Sequence, residues 1–134
     1  MPALPPPPLP SEAELNILRV LWTRGAATAK EIHEELNAGV KPPRVVTTTA
    51  KLLQIMLGKR LVSRDETTWP HTYWARAAEA AVMQGLAART LTNVFNRSAS
   101  QFMLHALDTG SVSSAEIEQI KALLETYEKD NSRD

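Results

Sequence analysis

The chain has 134 residues, 15 basic and 15 acidic side chains, 43% hydrophobic residues and no cysteine. That length suits one domain, or a small domain with an appendage, and the missing cysteines exclude disulfides, thiolate metal sites and cysteine nucleophiles while fitting a reducing, cytoplasmic setting. Aromatic residues at 5% and only 5 glycines argue against an all-β fold, and no apolar run approaches the ~18–20 residues needed to span a bilayer.

Residues 1–10, Met-Pro-Ala-Leu-Pro-Pro-Pro-Pro-Leu-Pro, lack the basic start and apolar core of a signal peptide and read as an extended, disordered polyproline lead-in, with a docking segment as the alternative. Ser11-Glu-Ala-Glu14 is a capping box. It opens a helix with Leu15, Leu18, Leu21 and Trp22 on one face and a stop at Gly25. Thr28-Ala-Lys-Glu31 is a second box, opening a short helix that buries Ala29, Ile32 and Leu36 and ends near Asn37-Ala-Gly39. Pro42 and Pro43 forbid its continuation. A third helix follows from Val46 to Leu57, apolar at Val46, Ala50, Leu53 and Leu57, with Leu52, Leu53 and Met56 read as core. Leu61 to Arg76 reads as a two-stranded hairpin whose turn falls within Glu66–Pro70, since Pro70 bars a central strand. The pattern then turns helical from Ala77 through Val82, Met83, Leu86, Leu91, Val94 and Phe95, with a break near Asn96-Arg-Ser98. A short helix, Ser100 to Leu107, ends at Asp108-Thr-Gly110. Ser113-Ser-Ala-Glu116 caps the last helix, which carries Ile117, Ile120, Leu124 and Tyr127 on one stripe.

Three short helices followed by a basic-edged hairpin make a winged helix-turn-helix. The expected class is mostly α with a small β-hairpin wing: a DNA-binding domain over 11–76 and a helical dimerisation domain over 77–134. Charge sorting points the same way. Val40–Arg64 holds six basic residues and no acidic one, a footprint for nucleic acid. Lys41 and Arg44 precede the third helix and would meet phosphates. Thr47, Thr48 and Lys51 lie in its first two turns, where side chains reach base edges, while Thr49 faces either the groove or the core. Lys59, Arg60 and Arg64 read as backbone contacts or solvated side chains rather than base readers. Trp69, Tyr73 and Trp74 are expected to pack the wing on the first helix, with base stacking as the alternative.

The C-terminal third buries too little to form a core alone, so it is expected to pack on a second copy through Ile117, Ile120, Leu124 and Tyr127, with Leu104 in the packed run Phe102-Met-Leu104. From Asp108 to Asp134 seven acidic residues face three basic ones, a net of 3 − 7 = −4 that keeps this part off phosphates. His33, His71 and His105 have no partner at metal-binding spacing. No activated nucleophile or phosphate loop is visible, so neither enzyme chemistry, metal nor cofactor is expected.

The residues Leu9-Pro-Ser-Glu-Ala-Glu-Leu-Asn-Ile-Leu-Arg-Val-Leu-Trp22, Thr28-Ala-Lys-Glu-Ile32, Thr47 to Val62 and His71-Thr-Tyr73 resemble the penicillinase-repressor family, from about Pro10 to Leu124. The resemblance implies a homodimeric winged-helix repressor on a dyad-symmetric, double-stranded DNA operator. It also implies, in many members, release by a membrane metallopeptidase that senses a β-lactam and cleaves the repressor. Thr47 and Thr48 match the reading-helix position, Lys51 sits one turn on, and His71 falls in the matching wing segment. Arg60 replaces the glycine usual after Lys59, so the cap must be made differently. The copper-sensing branch is excluded because its cysteine pairs are missing, and the bond cut in the penicillinase branch aligns with His105-Ala106. Two rival readings are a winged helix used only for protein contacts and a small-ligand-responsive regulator.

Overall fold

A computed structural model describes residues 8–38 and 46–131, giving only the helical backbone for Val46 and Thr47. The first helix, α1 (Glu12–Arg24), starts at a reciprocal cap: the Ser11 hydroxyl accepts from the Glu14 amide at 3.3 Å and the Glu14 carboxylate accepts from the Ser11 amide at 2.8 Å. It closes at Gly25, whose φ of 85° lies in the left-handed region that a Cβ would disfavour. Its buried residues are Glu14, Ile17, Leu18 and Leu21, with Leu15 and Trp22 half-buried at the flanks.

A two-residue strand, β1 (Ala27–Thr28), leads into α2 (Ala29–Asn37), which repeats the reciprocal cap between Thr28 and Glu31. After α3 (Val46–Gly58) come β2 (Val62–Asp65) and β3 (Thr72–Ala75). The sheet order is β1-β3-β2, both pairings antiparallel, with Ala27 opposite Tyr73 and Val62 opposite Ala75. The expected two-stranded hairpin is thus a three-stranded sheet. Its extra strand is too short to alternate visibly and hides inside the α1–α2 connection.

The core of this part is Ile17, Leu18, Leu21, Ala27, Ile32, Leu53, Met56, Leu61, Val62 and Tyr73. Each large side chain fully buried there contributes roughly 1.5–3 kcal/mol. The inner face of α3 keeps the expected Leu53 and Met56 and departs from the expected one at Ala50. Thr49, Leu53 and Met56 are buried, while Ala50 is exposed. Met56 gains far more by burial than the methyl of Ala50, so the helix turns the larger side chain inward.

The end of α3 answers the missing glycine. The Leu61 amide donates to the Met56 carbonyl at 2.9 Å and the Arg60 amide to the Leu57 carbonyl at 3.1 Å, the paired bonds of a Schellman cap. Arg60 itself takes the left-handed position, with φ 64°.

Beyond the wing runs α4 (Glu79–Asn93). The Trp22 indole donates to the Ala77 carbonyl at 3.0 Å, and Val82 is fully buried. Of the Pro-rich lead-in, Pro10 is buried and Leu9 lies against Gly85, where an added Cβ would sit 2.8 Å from its methyl.

The chain divides into two compact units, Met1–Arg89 and Thr90–Asp134. In the second, the helix ends at Asn93 and the chain reverses through Asn96 (φ 48°) and Arg97 (φ 66°), which leaves Val94 69% exposed instead of on a helical stripe. The Ser98 hydroxyl then caps α5 (Ala99–Asp108), and Ser113 caps α6 (Ser114–Asn131) by accepting from the Glu116 amide at 3.1 Å. No residue of α5 or α6 is buried.

Candidate nucleic-acid interface

With Thr49, Leu53 and Met56 turned into the core, the helical repeat puts Thr48, Lys51, Gln54, Ile55 and Gly58 on the outside of α3, and all five are exposed. This strip carries one charge, from Lys51, and one large apolar side chain, Ile55, on a helix held from behind by α1, α2 and β2. Thr48 and Lys51 fall on it as expected. Thr49, open between groove and core in the sequence, takes the core side: it is 2% exposed and bonds to His33. Gln54 and Ile55 were not among the expected contacts, although they stand three and four positions beyond Lys51, the spacing that shares a face. Lys41, Arg44 and the Thr47 side chain lie outside the described residues.

The basic residues at the far end of α3 divide. Lys51 and Arg60 are exposed and make no ion pair with any described residue. The Lys59 ammonium instead reaches the buried Glu14 carboxylate at 2.7 Å. Arg64 pairs with Glu66, its Nε 3.0 Å from the carboxylate, and lies over the Tyr73 ring at 6.0 Å. The stretch Val40–Arg64 has no acidic residue of its own, but the fold supplies two from outside it. Lys59 and Arg64 are therefore each held in an ion pair in the free protein.

The wing tip carries its own negative charge. Hydrogen bonds from the Thr67 hydroxyl and amide hold the Asp65 carboxyl below its ordinary range, and the Arg64 guanidinium does the same for Glu66. His71 bonds through Nδ1 to the Thr68 carbonyl at 3.1 Å and meets the Trp69 ring edge-on at 4.7 Å. The aromatic cluster splits as well. Tyr73 is 6% exposed and packs in the core, Trp74 is exposed at 41%, and Trp69 projects 84% exposed from the tip. Only Tyr73 packs as the whole cluster was expected to.

In the second unit, Leu104, Ile117, Leu124 and Tyr127 are exposed and Ile120 is half-buried. A groove of about 330 Å³ is lined by Leu107, Val112, Ile117, Ile120, Lys121 and Leu124. Leu107 and Leu123 extend the apolar surface beyond the expected set. His105 and Ala106 lie inside α5, and the His105 ring stacks on Phe95 at 5.9 Å.

Among the described residues no three His, Asp or Glu side chains cluster as metal ligands, and no helix is long and apolar enough to cross a membrane. No curated protein matches the chain. A solved structure described as "The complex structure of hsRosR-S1" has a TM-score of 0.48 and 19% identity, over 75% of this chain and 94% of that one. Residues 10–126 match the family described as Penicillinase repressor. That span takes in α1 to α5, the three strands and most of α6, and the chain belongs to the penicillinase repressor family of winged-helix, DNA-binding transcriptional regulators.

Proposed function

We propose that the chain is a cytoplasmic, homodimeric repressor whose α3 reads the major groove of a dyad-symmetric operator. The observation that carries this is the exposed strip Thr48, Lys51, Gln54 on a helix whose opposite face is anchored in the core. Lysine suits guanine O6 and N7, glutamine suits adenine N6 and N7, and a threonine methyl suits the thymine methyl. Lys41, Arg44 and Arg60 serve as phosphate contacts, with Thr47 and His71 at the edges of the interface. Lys59 and Arg64 join only by leaving Glu14 and Glu66.

The C-terminal helical domain, from Ala77 on, supplies the dimer contact through Leu104, Ile117, Ile120, Leu124 and Tyr127. What supports this is an apolar surface with no buried residue on α5 or α6, which costs free energy while it faces water. Holding two reading helices together makes the second half-site contact intramolecular, so anything that separates the subunits loses most of the affinity. Cleavage at His105-Ala106 by a membrane metallopeptidase would act in this way. Because that bond lies in α5, the helix must open locally before it is cut.

The test is binding to a duplex enriched by the parent chain from a randomised library. Thr48→Ala and Lys51→Ala should each weaken it by about 1–3 kcal/mol. If both bind like the parent, α3 is not the reading helix.

A further inference from the structure

We propose that His33 is a positioning residue for DNA recognition: its buried ring fixes the rotation of α3 and so decides which threonine of Thr47-Thr-Thr49 faces outward. The inference rests on the reading of α3 as the recognition helix. His33 is 9% exposed and Thr49 2%. The His33 Nδ1 lies 3.1 Å from the Thr49 Oγ1, and its Nε2 lies 2.8 Å from the Asn37 amide nitrogen. An amide NH2 only donates, so Nε2 accepts and the ring proton sits on Nδ1, which donates to the Thr49 hydroxyl. A directed chain therefore runs from Asn37 at the end of α2, through His33, to the first turn of α3.

Three consecutive threonines are chemically interchangeable, and apolar packing at Leu53 and Met56 tolerates small rotations. A hydrogen bond does not, since it needs a donor–acceptor distance of about 2.7–3.2 Å and near-linear geometry. Neighbouring helix positions point about 100° apart. Turning α3 by one position would carry Thr48 inward and swing Lys51 aside. The Thr48 hydroxyl would then come to His33 displaced by about 1.5 Å along the helix axis, spoiling the distance and angle of the bond, and a buried donor poorly partnered is penalised more than the bond itself is worth. The buried pair thus singles out one rotation among near-equivalent packings, the role in which buried polar contacts best set register.

The experiment compares the duplex enriched by the parent with a scrambled duplex of equal length, at one salt concentration. Thr49→Val removes only the hydroxyl, His33→Leu removes the donor, and His33→Asn puts an amide nitrogen where Nδ1 stood. Thr49→Val and His33→Leu should lose about tenfold in the ratio of enriched to scrambled affinity, while affinity for the scrambled duplex, set by phosphates, changes less than about twofold. His33→Asn should keep the parental ratio. If His33→Leu does not fold, Thr49→Val decides alone. A folded Thr49→Val with the parental ratio overturns the proposal, as does His33→Asn failing like His33→Leu, or affinities for both duplexes falling together. A parent that enriches no sequence overturns the reading of α3 itself, and this inference with it.

Discussion

Replacing Lys59 by Met removes a charge, keeps the apolar stem, and strips Glu14 of one of two close partners. Glu14 is 1% exposed, and its Oε1 accepts from the Lys59 ammonium at 2.7 Å and from the Ser11 amide at 2.8 Å. The Lys59 side chain is 41% exposed. The loss should therefore fall between the ~0–1 kcal/mol of a surface pair and the ~3–5 kcal/mol of breaking a fully buried one. About 1–3 kcal/mol is the expected cost, mainly the desolvation of a carboxylate left short of partners. Trp22, Trp69 and Trp74 all lie in the first unit, so tryptophan fluorescence in urea reports its unfolding.

The pH dependence of that cost is a second readout of the same variant. Burial pushes the Glu14 carboxyl up, but hydrogen bonds from Lys59 and from the Ser11 amide and hydroxyl outweigh it and hold the carboxyl below its ordinary 4.5. A folded value below the unfolded one means stability fully present above 4.5 and lost as pH falls through the folded value. The gap between parent and Lys59→Met should thus be full near neutrality and close as the medium is acidified below that range. A gap below about 0.5 kcal/mol at neutral pH, or one unchanged on acidification, would mean that Lys59 does not sustain the Glu14 charge.

Arg60→Gly should stabilise the first unit by about 1 kcal/mol, because glycine takes a φ of 64° without a Cβ penalty; a lower melting temperature would contradict the cap. Ile120→Asp should give a monomer in sedimentation with the first unit still folded, since a charge buried at the subunit contact costs several kcal/mol. A variant still dimeric at micromolar concentration would put the interface elsewhere. If proteolysis is the switch, mass spectrometry of the native host during induction should find a fragment ending at His105. Derepression with an intact chain would point to a dissociating ligand or partner.

The capping boxes at Ser11 and Thr28 were legible because each is a local pattern with one physical outcome, and both boxes form with the reciprocal bonds. The wing turn was legible from Pro70. What escaped the sequence depends on three-dimensional partners. Lys59 reads as free beside an acid-less stretch, yet Glu14 stands 45 positions away in sequence and beside it in space. Ala50 and Thr49 are both small and helix-compatible, so periodicity alone could not choose between them. The choice is made by Met56 and by His33 across the α2–α3 contact. The strand Ala27–Thr28 carries no alternation to read, and becomes a strand only because β3 pairs with it.

Footprinting of the parent chain on the duplex it enriches shows whether two copies of α3 read a dyad. Two reading helices on one dimer should protect two half-sites on one face, about 10 base pairs apart or a multiple of that spacing, with Lys51→Ala losing protection at both. A single protected patch that Lys51→Ala leaves unchanged would contradict both the dyad and the assignment of α3.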